Sequence, residues 1–335
     1  MLTTSNLEKD LSVLVDIHDV IAISGAPGIG KSEITYQVCE EKGLKLLEVR
    51  LYEMGTTACG FPRLDNEITI FTKPEWLDLA EKKQVDVILF DDFHNVLPEI
   101  QKYFYRFLID RTIHQHKLTH PVKVILAGNF DIESAGACMI ESPIMGRIET
   151  MLKYEPSIAT FTDWAMKQFD RFDTRVISFL KTNPDLLYTE DPAPTTKYAS
   201  PRNWEHLSKN VKKLNSPKYA TGIVGESAGS LFEDYWDYLN EKPENILKST
   251  PKDGKEHVIY SIILGEEYVR TKDEKLKDQI LLYVQEKVSP DAALLFSRHV
   301  ASYDITSFVK KISENSKFEN LYNGLLEVAS NLLDH

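Results

Sequence analysis

The stretch Ile23 to Ser32, ISGAPGIGKS, limits the folds open to this chain more than any other. Residues 25–32 match the pattern GxxxxGK[ST], directly after the β-branched run VIAIS (20–24) and at the start of helical text, SEITYQVCEEKG. A glycine-rich turn from strand to helix lets backbone N–H groups and the helix N-terminus cradle phosphate oxygens, with the glycines permitting close approach. The expected contacts with a nucleotide are Gly25, Ala26, Pro27, Gly28, Ile29, Gly30, Lys31 and Ser32. Lys31 would reach the β- and γ-phosphates, and the Ser32 hydroxyl would bind Mg²⁺.

The text around this loop supplies a sheet. LKLLEVRL (44–51), VDVILF (85–90) and VKVILAG (122–128) are near-continuous apolar runs, most of them separated by helical patterns. Such runs predict a parallel sheet covered by helices on both faces. Between the second and third, CGFPRLDNEITIFTKPEWL predicts a small hairpin near 59–76, with EITIF as a strand and LDNE as its turn. After about Tyr154 the strand runs give way to helical text, broken by the turn-rich TEDPAPTTKYASP. The expected organisation is an α/β nucleotide-binding core over 1–154 and a helical region over 155–335. A length of 335 residues, 42% hydrophobic and 27% charged, suits one large domain with a smaller one.

Composition narrows the function. No apolar run approaches the roughly 18 residues of a membrane span, and the N-terminal text is acidic where a signal peptide is basic, so a soluble, cytoplasmic protein is expected. Cys39, Cys59 and Cys138 are far apart with no CxxC pair, which predicts reduced, mostly buried thiols. The net charge of -12 argues against nucleic-acid binding through the bulk field while leaving room for a local basic channel. His114, His116 and His120 lack the pattern of a metal site, and YFYRF (103–107) fits helical core packing better than a stacking platform.

In VILFDDFHNV, Asp91 and Asp92 fall at the end of an apolar strand. The first carboxylate would hold magnesium through water and the second would orient an attacking water. His94 is a solvated or packed side chain on the simplest reading. At these residues the chain resembles the AAA+ ATPases, which usually carry Asp-Glu here, and the shorter Asp92 departs from that pattern.

ILAGNF puts Asn129 at the sensor-1 position of that family. SPIMGRIETMLKYEPS is similar to the segment of MoxR-like AAA+ ATPases that ends in a helix bearing the arginine finger, and Arg147 matches that arginine. YASPRNWEHLSKN resembles their SPR sensor-2 signature, with Ser200 as helix N-cap, Pro201 at the first helical position and Arg202 beside it. The hairpin fits the helix-2-insert clade to which the MoxR group belongs. The resemblance covers about residues 18–215.

It implies a P-loop NTPase AAA+ core followed by an α-helical lid. It also implies Mg·ATP hydrolysis at the interfaces of a homo-oligomer, a hexameric ring, acting on a protein partner that in this family often bears a von Willebrand A domain. The catalytic set would be Asp92, Asn129, Arg147 and Arg202, with Ser32 and Asp91 on the metal. Two other readings stay open: an ATP-gated scaffold that scarcely hydrolyses, which the short Asp92 motivates, and a DNA-directed motor. A small-molecule kinase would not need the series Asn129, Arg147 and Arg202.

Overall fold

The computed structural model describes residues 2–130, 140–168, 171–189, 196–239, 241–314, 318–319, 321–323 and 326. The chain divides into two compact units, Met1–Ser157 and Ile158–His335. Cys138 and part of the TEDPAPTTKYASP stretch lie outside the described residues.

In the first unit the strands are β1 (Leu2–Thr4), β2 (Val20–Ser24), β3 (Leu46–Val49), β4 (Pro62–Asp65), β5 (Ile68–Phe71), β6 (Val87–Phe90), β7 (Thr112–Ile113), β8 (His116–Lys117), β9 (Lys123–Gly128) and β10 (Thr150–Tyr154). The helices are α1 (Leu7–Ile17), α2 (Lys31–Glu41), α3 (Leu51–Met54), α4 (Glu75–Lys83), α5 (Pro98–Asp110) and α6 (Ser142–Met145). Six strands form one parallel sheet in the order β1-β10-β2-β9-β6-β3. Every residue of β2 and β6 is buried, as strands covered on both faces must be. The second predicted strand is shorter than its apolar run, because Leu51 leaves the sheet and starts α3 while remaining fully buried.

β4 and β5 form the predicted hairpin, antiparallel and closed by Asn66 and Glu67, both at positive φ. That two-residue conformation matches the right-handed twist of the strands it joins. β7 and β8 form a second, minimal hairpin: His114 stacks on Phe71 with centroids 3.6 Å apart, and His116 Nε2 lies 2.9 Å from the Phe71 carbonyl oxygen. Two of the three histidines of the HQH region therefore pack the small hairpin against β5. Along α5 the buried residues Ile100, Phe104, Phe107 and Leu108 recur at helical spacing, and edge to face Phe104 meets Phe90 and Phe107 meets Trp76.

The second unit is helical: α7 (Ile158–Lys167), α8 (Thr174–Thr182), α9 (Pro201–Leu214), α10 (Ala220–Val224), α11 (Glu226–Tyr238), α12 (Pro243–Ile246), α13 (Gly254–Arg270), α14 (Glu274–Lys287) and α15 (Pro290–Ser313). α9 starts as its sequence predicts. Ser200 caps it by accepting from the Asn203 N–H at 3.3 Å, and Pro201 takes the first position, where a missing N–H costs nothing. The aromatic centre of this unit is Phe179, Trp204, Phe232 and Tyr235.

Candidate nucleotide site

In a parallel sheet all strands end on the same edge, here called the trailing edge, and begin on the opposite, leading edge. The loop Gly25–Gly30 follows β2 on the trailing edge, and its first N–H donates to the Gly128 carbonyl at the end of neighbouring β9 (3.0 Å). A Cβ at Gly25 would stand 2.8 Å from the Tyr154 carbonyl oxygen, so only glycine fits there. Gly30 caps α2 at φ +99°, a conformation that L side chains rarely adopt. Both glycines therefore answer geometric needs of the turn.

The Lys31 ammonium is buried and donates to the carbonyls of Gly25 (2.8 Å) and Ala26 (2.9 Å), which aims it across the mouth of the loop. Ser32 donates its hydroxyl to Asp91 Oδ2 at 2.7 Å, so the two expected metal ligands are already in contact. Asp91 directly follows β6, with its N–H on the Val49 carbonyl (3.1 Å), and its Oδ1 accepts the Asp92 N–H (3.0 Å). Hydroxyl and carboxylate oxygens are the donors a hard divalent cation such as Mg²⁺ takes, and the pair fits that ion. Asp92 itself sits in the left-handed region at φ 51° and is half-buried.

Asn129 directly follows β9, the strand hydrogen-bonded to β2. His94, given little weight from sequence, packs within this group. A Cβ on Gly128 would lie 2.9 Å from His94 Nδ1, and that atom is buried with no hydrogen-bond partner among the described residues. Burial pushes its pKa down; Asp92 opposes and Lys31 adds to the shift, so the imidazole is neutral at pH 7.

Sequence reasoning missed Arg50, Glu48 and Tyr36. Arg50 comes abreast of Asp91 because Val49 pairs with Phe90. Its guanidinium holds Glu48 at 2.7 Å, and the Tyr36 hydroxyl donates to the same carboxylate. The negative charge of Glu48 raises the Arg50 pKa, with Asp91 adding to the shift. A charged pair ending the apolar run LLEVR was the available signal.

Arg147 occupies a different place. The expected finger-bearing helix α6 ends at Met145, so Arg147 stands in the turn beyond it, where it donates to the Pro143 carbonyl and lies 5.5 Å over the Tyr105 ring. Two residues later the Glu149 N–H donates to the Val20 carbonyl (3.0 Å), and Glu149 Oε2 lies 2.9 Å from His18 Nδ1. Arg147 thus lies by the start of β2, on the leading edge, with the five residues of β2, about 16 Å, separating that edge from the loop. Arg202 belongs to the helical unit, exposed on the first turn of α9.

The class defined by this sheet and loop is a P-loop NTPase of the AAA+ fold. Residues 21–155 match the family model described as "ATPase family associated with various cellular activities (AAA)", so the α/β unit carries an AAA domain, a nucleotide-binding module. No curated protein matches the sequence. Among solved structures, NtrX from Brucella abortus in complex with ADP is similar at 12% identity over 97% of this chain and 68% of that one, with a TM-score of 0.44. A point mutant of Thermotoga maritima RuvB is similar at 12% identity over 87% and 85% (TM-score 0.42). The Thermotoga maritima RuvB Holliday junction branch migration motor is similar at 15% over 74% and 75% (TM-score 0.40). Among the described residues no helix is long and apolar enough to cross a membrane.

Proposed function

We propose that this chain is a MoxR-like AAA+ ATPase that assembles into a ring, a hexamer on the family pattern, and uses ATP hydrolysis to remodel or activate a protein partner. The observation that carries this reading is the separation of Arg147 from its own phosphate loop by the length of β2. The Arg147 guanidinium is held, among the described residues, by the Pro143 carbonyl and the Tyr105 ring and by no residue of its own phosphate loop, which leaves it for the loop of a neighbouring copy.

ATP would lie with its phosphates on the N–H groups of residues 25–32. Lys31, held on the Gly25 and Ala26 carbonyls, presents its ammonium to the terminal phosphates. Ser32 and Asp91 would hold Mg²⁺, which when bound neutralises phosphate charge. Asp92 orients the attacking water, Asn129 holds that water from the end of β9, and Arg147 of the adjoining copy stabilises charge on the transferred group. Arg202 would report the γ-phosphate to the helical unit.

The test is complementation between two damaged copies. Arg147→Ala is expected to keep ATP affinity and lose about 10³-fold in turnover, the scale of an arginine finger. Lys31→Ala is expected to lose turnover through binding. Mixed, the two variants should recover phosphate release, because each supplies what the other lacks. A mixture as inactive as its components, or an Arg147→Ala protein that hydrolyses normally, overturns the reading.

A second reading, an ATP-gated scaffold, is favoured by one observation, the short side chain at Asp92. Steady-state phosphate release compared between wild type and Asp92→Glu separates them. Fast wild-type turnover removes the scaffold, whereas slow turnover that Asp92→Glu raises about tenfold or more supports it.

A further inference from the structure

Helix α5 follows the Asp92 turn and packs against α6, and one polar side chain on it bonds to the backbone on both sides. Gln101, on the first turn of α5, is fully buried. Its Nε2 donates to the Val96 carbonyl (2.9 Å) at the end of the Asp92 turn, and its Oε1 accepts the Glu141 N–H (3.0 Å). Glu141 is the N-cap residue of α6.

From Glu141 a short ladder of turn hydrogen bonds leads to Arg147. The Ile144 and Met145 N–H groups donate to the Glu141 carbonyl (2.9 and 3.2 Å), and the Arg147 N–H donates to the Ile144 carbonyl (2.9 Å). One turn beyond Gln101 on α5 stands Tyr105, whose ring lies 5.5 Å beneath the Arg147 guanidinium. Residues four apart share a helix face, so a single face of α5 carries both the start of the α6 turn and the arginine at its end.

The two bonds of Gln101 do different work. On the Asp92 side the backbone is held without it: the Asn95 N–H donates to the Asp92 carbonyl (2.9 Å), the Val96 N–H donates to the Phe93 carbonyl (3.1 Å), and Phe93 is buried against Phe104. On the Arg147 side the Gln101 carboxamide is the partner of the Glu141 N–H, across 40 residues of sequence. A buried amide that donates and accepts at once fixes one relative placement of the segments it joins, where apolar contacts alone tolerate repacking.

We propose that Gln101 is a positioning residue for the arginine finger, fixing the α6 turn so that Arg147 meets the phosphate loop of the adjoining copy. The inference rests on the reading of Arg147 as a group supplied in trans. Misplacing a catalytic group by about 1 Å can cost on the order of 100-fold in rate, so loosening the turn should appear in turnover and leave ATP binding alone.

The test places Gln101→Met, which keeps the side-chain length and removes both bonds, in one or the other member of the complementing pair. In the Lys31→Ala copy, which contributes its Arg147, the substitution should lower phosphate release by the mixture about tenfold or more. In the Arg147→Ala copy, which contributes its loop, it should change phosphate release and fluorescent-ATP affinity by no more than about twofold. Glu141→Pro checks the same contact from its other end: the Glu141 φ of -66° suits proline, which removes the N–H that Gln101 accepts and leaves the Val96 bond in place. In the Lys31→Ala copy it should reproduce the loss. A parent mixture that recovers phosphate release but loses it equally with Gln101→Met in either copy, or that keeps full release with either substitution in the Lys31→Ala copy, overturns this proposal alone. A parent mixture that never recovers overturns the trans reading and this proposal with it.

Discussion

Each unit of this chain packs around one tryptophan whose indole N–H donates to a carbonyl eighteen residues upstream: Trp76 to Ala58 and Trp204 to Leu186, both at 2.8 Å. Both side chains are buried among other aromatic rings. The units differ in where they keep their charges. In the α/β unit Lys31, Ser32, Asp91 and Asp92 gather where strands end, because the segments that follow parallel strands all leave the sheet from one edge. A bundle of helices has no such edge, and the helical unit holds Asp173, Arg175 and His299 inside its packing. Similar aromatic cores thus support polar chemistry at a rim in one case and in the interior in the other.

The largest effects should fall on the shared feature. Trp76→Ala and Trp204→Ala each remove a buried indole and orphan a carbonyl, at a cost of about 3–5 kcal/mol in urea unfolding. A loss under about 1 kcal/mol for either would break the parallel.

Next comes the rim. Lys31→Ala removes a buried ammonium aimed at the loop mouth and is expected to weaken ATP binding about 100-fold in a fluorescent-nucleotide titration. An unchanged affinity would mean that the charges at the sheet edge do not form the nucleotide site.

The smallest effect sharpens the contrast by pH. For Asp173 burial alone would raise the carboxyl, but the hydrogen bonds and charge of Arg175 outweigh it and hold the pKa below the usual aspartate value. Glu266 is held low in the same way, against burial, by His299 and Arg175. A folded pKa below the unfolded one contributes stability that is present above the unfolded value, near 4, and lost as pH falls through the folded one. Among the described residues of the α/β unit, Lys82 holds Asp78 low, the Thr119 hydroxyl and N–H hold Glu81 low, and, against burial, Thr112 with Arg106 hold Asp110 low; all three are nearer solvent than Asp173, so water screens them more. Hydrogen exchange below pH 4 should therefore rise first in α8 and α15, and Asp173→Asn should remove most of that pH dependence. Equal acid sensitivity in both units would contradict the distinction.

The sequence made the buried strands legible and the outer ones obscure, for one physical reason. β2, β6 and β9 are covered on both faces and need continuous apolar runs. β10 mixes Thr150 and Lys153 with its apolar residues, and β1 is three residues with two exposed, so neither leaves a run to detect. The same logic divides the site. The loop residues are contiguous, and their pattern names them; Arg50 comes abreast of Asp91 only through the register of β3 on β6. In the helical unit, Thr174 and His299 meet across 125 residues, a distance no local spacing encodes.

Arg147, beside the beginning of β2, has one more implication. On the proposed reading each molecule owns two halves of different catalytic centres and no whole one. Dilution would then act as an inhibitor: turnover per molecule would climb with protein concentration and level off once every leading edge had found a neighbour.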